Sequence, residues 1–341
     1  MPCVKIKRGK TMPYPIQRPR RLRQTASIRH FVQDVQLPYD KLVLPLFIRF
    51  GRGDIKPISS MPGHAQIHLQ HIPDMISQLT QLGLKSVILF GIPEKKDPKG
   101  RFSYHDDGVI QQAIRLIKQT NPDMLVMADT CLCEYTDHGH CGTLNLHAQQ
   151  VHIDNDTSIN LLGKQAVSYA QAGADIIAPS ACMDGMIHAI RTALDFHHFQ
   201  NTIVLSYAVK YASHLYGPFR QAAEGAPQIG NRQSYQMDYQ YSLDVLLECE
   251  LDIQEGADML MVKPGHTYLD VIYRVKQQYP HIPLGAYHTS GEFAMIKAAA
   301  SQGLIDEKKV VHEILCALHR AGSDFILTYY AKEALEWRLN N

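Results

Sequence analysis

A chain of 341 residues with 45% hydrophobic and 20% charged residues is long enough to bury a large core, as one big domain or two ordinary ones. A net charge of +1 gives no footprint for a nucleic-acid partner, and no apolar run reaches the roughly 18 residues of a membrane span. Seven cysteines, three of them grouped at Cys131, Cys133 and Cys141, fit a reducing, cytoplasmic setting and a thiolate site better than a disulfide framework. Cys3, Cys182, Cys249 and Cys316 read as single packing thiols.

The first thirty residues carry nine Lys or Arg and no acid. Met1 to Lys10 alternates charged and apolar residues and is no secretory signal. Pro13, Pro15 and Pro19 argue against a helix, so residues 1–35 read as an extended arm ordered on a neighbouring subunit rather than as a transit peptide.

Strand-like apolar runs follow at Leu42–Ile48, Ser86–Gly91, Met124–Asp129, Asp175–Ser180, Thr202–Ala208, Met259–Lys263, Leu284–Thr289 and Phe325–Tyr330. Helix-period segments alternate with them: Ile72–Leu82, Gly108–Lys118, Ile159–Ala172, Asp184–Phe196, Leu243–Gln254, Tyr268–Gln278, Gly291–Ser301 and Glu307–Ala321. Eight such repeats over residues 36–341 predict a single TIM-type (β/α)8 barrel. A doubly wound open sheet is the rival, but no G-x-G-x-x-G follows an early strand. Two connections are long, about 45 residues after the third strand and about 50 after the fifth, as befits site-building loops. The first holds the cysteine group. The second holds an Arg/Gly/Pro-rich segment, Gly217–Arg232, and its residues 211–240 read as a lid.

Strand C-terminal ends carry Asp129, Ser180, Lys210 (just past the fifth strand), Lys263, Ser290 and Tyr329, which a barrel would converge on one pocket. Lys263 closes the run Met259–Val262 before Pro264-Gly265. Alone it could be a lysine snorkelling from a core strand into water. With Lys210 on the adjacent strand, each ammonium should depress the other's pKa, which suits Schiff-base chemistry on carbonyl substrates. Cys131, Cys133 and Cys141 offer three soft thiolates for Zn²⁺ and leave a fourth position open, as catalytic zinc requires. His140 could be a fourth ligand, a proton shuttle or an outer-sphere group, whereas His138 reads as loop surface. Arg220 and Arg232 in the lid suit a substrate carboxylate.

These segments together resemble the porphobilinogen synthase (5-aminolevulinate dehydratase) family over nearly the whole chain. The resemblance is carried by R-P-R-R-L-R at Arg18–Arg23, L-P-L-F-I at Leu44–Ile48, P-I-S-S-M-P-G at Pro57–Gly63 and the cysteine loop. It continues in A-P-S at Ala178–Ser180, M-D-G at Met183–Gly185, K-Y-A-S-x-x-Y-G-P-F-R at Lys210–Arg220 and M-V-K-P-G at Met261–Gly265. S-G-E-F-A-M-I-K-A-A-A at Ser290–Ala300 and T-Y-Y at Thr328–Tyr330 complete it. It implies a cytoplasmic lyase that condenses two 5-aminolevulinate molecules to porphobilinogen, with loss of two waters, in haem and other tetrapyrrole biosynthesis. By resemblance Lys263 holds the first substrate and Lys210 the second, Ser290 and Tyr329 bind the first carboxylate, and Arg220, Arg232 and Gln236 bind the second substrate. Asp129 and Ser180 line the second site, the three cysteines hold zinc, and Glu248 matches an allosteric magnesium ligand. The arm matches one that wraps a neighbour in a homooctamer. Departures stand at Ala181, where the family often has a polar residue, and at Leu243 and Leu247, where it often has arginines. Ala181 motivates an alternative, a catalytically weak zinc-binding or assembly paralogue. A generic Schiff-base aldolase, needing one lysine and no zinc, is a second.

Overall fold

The computed structural model describes residues 17–145 and 152–339. Eight parallel strands form its centre: β1 (Leu42–Arg49), β2 (Ser86–Ile92), β3 (Leu125–Thr130), β4 (Ile176–Pro179), β5 (Ile203–Lys210), β6 (Met259–Lys263), β7 (Leu284–His288) and β8 (Phe325–Thr328). They are hydrogen-bonded in sequence order, and β8 returns to β1 with Leu42 opposite Ile326 and Val43 opposite Leu327. That pairing closes the sheet into a (β/α)8 barrel, as the eightfold alternation predicted. Every residue of β2 is buried, as are all but the last of β1, because each strand faces both the barrel interior and the helical ring.

The ring contains α1 (Ile72–Gln81), α2 (Val109–Thr120), α3 (Asn155–Ala172), α4 (Met186–Phe196), α5 (Val245–Gln254) and α6 (Leu269–Gln278). After β7 come two helices, α7 (Ser290–Ser301) and α8 (Glu307–Ala321), and a final helix α9 (Ala331–Leu339), unforeseen from the sequence, follows β8. The apolar stripe of α2 shows the logic: Val109, Ile110, Ala113, Ile114 and Ile117 sit at helical spacing and all are buried. Asp154 caps α3 by accepting from the Thr157 amide at 3.1 Å. A short antiparallel pair, Lys56–Pro57 with Ala65–His68, is laid beside β1, with Gln66 opposite Phe47.

One irregularity bears on the site. Between the pairs Ser206–Leu260 and Val209–Val262, β5 spends one residue more than β6. This bulge breaks the two-residue alternation, so Tyr207 and Lys210, three apart, both turn toward the same interior. The fifth strand was expected to stop at Ala208. It runs on to Lys210, which lies directly opposite Lys263.

The chain divides after Gln36 into a small N-terminal unit and the barrel unit. Within the small unit, Pro19–Arg23 forms one 3₁₀ turn and Ala26–Phe31 a short helix capped by the Thr25 hydroxyl. The described part of the arm is therefore partly helical where an extended chain was expected. Pro19 opens its turn at the first helical position, where a missing N–H costs nothing. Cys3, Pro13 and Pro15 lie outside the described residues.

Candidate active site

Each polar residue predicted from the strand ends lies at the C-terminal mouth of the barrel. Lys263 and Lys210 are only 5% and 6% exposed, and both ammonium groups approach the ring of Tyr207, Lys263 at 5.2 Å and Lys210 at 5.4 Å from its centroid. Lys263 is otherwise enclosed by aromatics, with Tyr287 at 4.1 Å, Phe219 at 5.1 Å and Tyr216 at 5.3 Å from its nitrogen to the ring centroids. Burial in this cage, reinforced by the Lys210 charge, brings the Lys263 pKa down to about 7. The expectation of mutual depression fails for Lys210. Burial opposes its charge, but the sulfur groups of Cys182, Cys141 and Cys131 and the Asp129 carboxylate outweigh that and push its pKa above the ordinary value. Its ammonium also donates to the Ser180 carbonyl. The pair is thus asymmetric, with one lysine tuned toward the free amine and the other held as a cation.

Asp129 and Ser180 come together as predicted, the Ser180 hydroxyl donating to Asp129 Oδ2 at 3.0 Å. Burial pushes the Asp129 carboxyl up, the two lysines pull it down, and its Oδ1 has no partner. Lys210 also lines a cavity of about 410 Å³, shared with Tyr207, Cys182, Gln236 and Asp252. Gln236 is buried with both amide atoms unpartnered, and Arg232 and Arg220 each have an unpartnered Nε. Buried polar atoms without partners cost stability unless a ligand satisfies them. This set of donors fits a carboxylate.

Ser290 opens α7 and is fixed by a capping box. The Thr289 amide and hydroxyl donate to Glu292 Oε2 at 2.6 and 2.9 Å. The other carboxylate oxygen of Glu292 accepts from the His266 amide at 2.7 Å, tying the turn after Lys263 to the same helix start. The Ser290 hydroxyl accepts from the Phe219 amide of the lid at 3.0 Å, and the Tyr329 and Tyr287 hydroxyls are 3.2 Å apart.

The sulfurs of Cys131, Cys133 and Cys141 lie within 4.8 Å of one another, and all three residues are buried. Among the described residues this is the one group of three potential ligands so arranged. Hydrogen bonds from Cys131 and Cys133 push the Cys141 thiol well below its usual range, while burial pushes Cys131 up. Three sulfurs sharing a site that favours an anion fit a soft divalent cation. The amide of Gln165, on α3, donates to the Cys131 carbonyl at 3.1 Å and steadies the loop from behind. His140 is already committed. Its Nε2 donates to the Ile229 carbonyl at 2.7 Å, so its Nδ1 is left to accept from the Tyr235 hydroxyl at 3.1 Å. His138, read as loop surface, is instead buried, with Nδ1 accepting from the His140 amide at 3.1 Å and Nε2 facing the Pro98 carbonyl at 3.3 Å.

These contacts join the cysteine loop to the lid. Arg232 donates to the Gly139 carbonyl at 2.9 Å and to the Gly225 carbonyl at 2.6 Å, and the Gln228 amide donates to the His138 carbonyl at 3.0 Å. Glu248, on α5, lines the same cavity as Lys210 and Gln236, and burial and the charges of Asp184 and Asp244 push its carboxyl up. Leu243 and Leu247 are exposed nearby. The sequence reading missed the aromatic cage. Its only signals were the aromatics Tyr207 and Tyr287 inside buried strands, which look like ordinary core.

A family model described as delta-aminolevulinic acid dehydratase matches residues 16–337. A protein of that name from Synechocystis is 50% identical over 324 residues, 95% of this chain and 99% of the relative. The Bacillus subtilis protein of that name is 48% identical over 326 residues, 96% and 99% of the two chains. The crystal structure of the Toxoplasma gondii delta-aminolevulinic acid dehydratase (porphobilinogen synthase), in complex with the reaction product porphobilinogen, is 41% identical. It superposes with a TM-score of 0.91 over 95% of this chain and 92% of that one.

Proposed function

The chain belongs to the delta-aminolevulinic acid dehydratase family, and from that premise we propose that it condenses two 5-aminolevulinate molecules to porphobilinogen and two waters in tetrapyrrole biosynthesis. The observation that carries this reading is the register of Lys210 against Lys263, two buried amines of opposite electrostatic bias that share the ring of Tyr207. A free amine near pH 7 is what attack on a ketone requires, so Lys263 takes the first substrate, its nitrogen adding to the carbonyl carbon and water leaving as the imine forms. Ser290 and Tyr329 bind that substrate's carboxylate. Lys210 forms the second imine with loss of the second water, after giving up its proton beside Asp129. Arg220, Arg232 and Gln236 hold the second substrate with their unpartnered donors. Removal of a proton from the carbon beside the second imine lets that carbon add to the first imine carbon and form the C–C bond. Attack by the first substrate's amine on the second imine carbon closes the ring and expels Lys210, and Lys263 leaves by elimination as ring protons are lost and the pyrrole becomes aromatic.

Cys131, Cys133 and Cys141 would hold the metal, and their soft donor set favours zinc. When bound, the ion supplies Lewis acidity at the second substrate and cancels the thiolate charge facing Lys210. Asp184 and Asp244 make the surroundings of Glu248 favourable for a second cation, magnesium by resemblance. For the arm, exposure of Leu22, Phe31 and Val32 supports burial against another copy in a homo-octamer. Among the described residues no helix is long and apolar enough to cross a membrane. A cytoplasmic setting is supported by the six cysteines among the described residues, all of them free.

The test is porphobilinogen formation by the purified protein, paired with borohydride trapping and peptide mapping. A stable adduct on Lys263 is expected, and full turnover with Lys263 unmodified would overturn the mechanism. Full activity in Lys210→Ala would favour a one-lysine aldolase instead.

A further inference from the structure

We propose that Arg49 and Glu224 form a latch that holds the lid over the second-substrate pocket, which makes both of them positioning residues for Arg220 and Arg232. The proposal rests on the reading of the reaction given above. Glu224 lies just beyond the lid helix Gly217–Ala222 and immediately before Gly225, whose carbonyl accepts from Arg232. Arg49 ends β1, 175 residues away in the chain, and its guanidinium donates to Glu224 Oε1 at 2.6 Å.

The contact is built rather than incidental. The same carboxylate oxygen accepts from the Gln66 amide at 3.2 Å and lies 3.9 Å from the Lys56 ammonium. Gln66, buried beside β1, accepts from Arg49 at 2.8 Å and donates to the Ala222 carbonyl at 2.8 Å, so it grips the last residue of the lid helix directly. Lys96, beyond β2, donates to the Glu224 carbonyl. Four side chains from the rim, Arg49, Lys56, Gln66 and Lys96, thus converge on two lid residues, Ala222 and Glu224. Glu224 adopts a left-handed backbone with φ of 52°, unusual for a residue with a side chain and retained where surroundings over-determine it. Burial opposes its charge, but the hydrogen bonds from Arg49 and Gln66 prevail and hold the carboxyl below its ordinary range.

The position of the latch decides what it controls. It lies four residues beyond Arg220 and eight before Arg232, and the segment between carries the Arg232 bond to Gly225. Releasing it frees the end of the lid that aims both guanidinium groups, while Lys263 and its strand are untouched. The consequence is a weaker hold on the second substrate with little change in the chemical steps.

The experiment compares Arg49→Met, Glu224→Gln and the exchanged pair Arg49→Glu with Glu224→Arg against the parent protein. Both single-variant side chains are partly exposed, so folding should survive, and amide exchange of the barrel strands reports that. Expected in each single variant is exchange over residues 217–237 faster by about fivefold with strand exchange unchanged. KM should rise by roughly three- to tenfold with kcat within about twofold. The exchanged pair should recover both. Lid exchange equal to the parent's in both single variants overturns the latch. Faster lid exchange with an unchanged KM overturns its link to the second substrate. Exchange is read without substrate, so absence of porphobilinogen would count against the assigned reaction and leave the latch to be decided by the exchange data.

Discussion

The asymmetry of the two lysines gives the sharpest prediction. A buried Lys263 titrating near 7 instead of 10.5 has its ammonium disfavoured by about 5 kcal/mol. Burial is the larger cause and Lys210 the second. Two ammonium groups on neighbouring strands, roughly 6 Å apart at an effective dielectric of about 20, repel by about 3 kcal/mol. Lys210→Met removes that repulsion and leaves the cage, so the Lys263 midpoint should rise by about two pH units and stay below the free-lysine value. At pH 7.5 the parent has about three-quarters of Lys263 as free amine, and the variant about 3%. The assay is borohydride trapping of 4-oxopentanoate, a ketone lacking the substrate's amino group, with the Lys263 peptide quantified by mass spectrometry against pH. Trapping at pH 7.5 should fall about 25-fold in the variant and recover by about pH 9.5. The sign is fixed: lowering pH through 7 protonates Lys263 and stops trapping in the parent. A parent midpoint near 10.5, or the same profile in both proteins, would refute the electrostatic argument.

Three further outcomes are expected. Cys141→Ser should lower the metal bound per chain, and a thiol-compatible chelator should abolish porphobilinogen formation until zinc is restored; activity indifferent to chelation would remove the metal from the reaction. Gly139→Ala puts a Cβ 2.2 Å from the Ala226 carbonyl oxygen at a φ of +70°, so the cysteine loop and lid must part. Metal retention should weaken and KM rise, with Tm lower by about 2–6 °C in a thermal melt. Arg232→Met leaves the Gly139 and Gly225 carbonyls unpaired, at a cost of about 2–3 kcal/mol by denaturant titration, and should raise KM by about a hundredfold.

What the sequence determined by itself is what short-range patterns encode. Buried parallel strands are continuous apolar runs, so eight of them, and the residues at their C-terminal ends, were readable without coordinates. The cysteine trio was readable because one loop supplies all three sulfurs. Tertiary structure decided what depends on partners distant in sequence. The Lys263 cage draws on β5, β7 and the lid, and the raised pKa of Lys210 comes from sulfurs in the segments after β3 and β4 and a carboxylate on β3. Lys210 faces the interior through a bulge that appears only in the pairing of β5 with β6. His140 keeps several possible roles in the sequence until the lid residues Ile229 and Tyr235 take both its ring nitrogens, and His138 reads as loop surface until its ring is buried against Pro98 and the His140 amide. The grip of Arg49 on Glu224 spans 175 residues and has no local signature, because a charge shows its partner only once the barrel has closed.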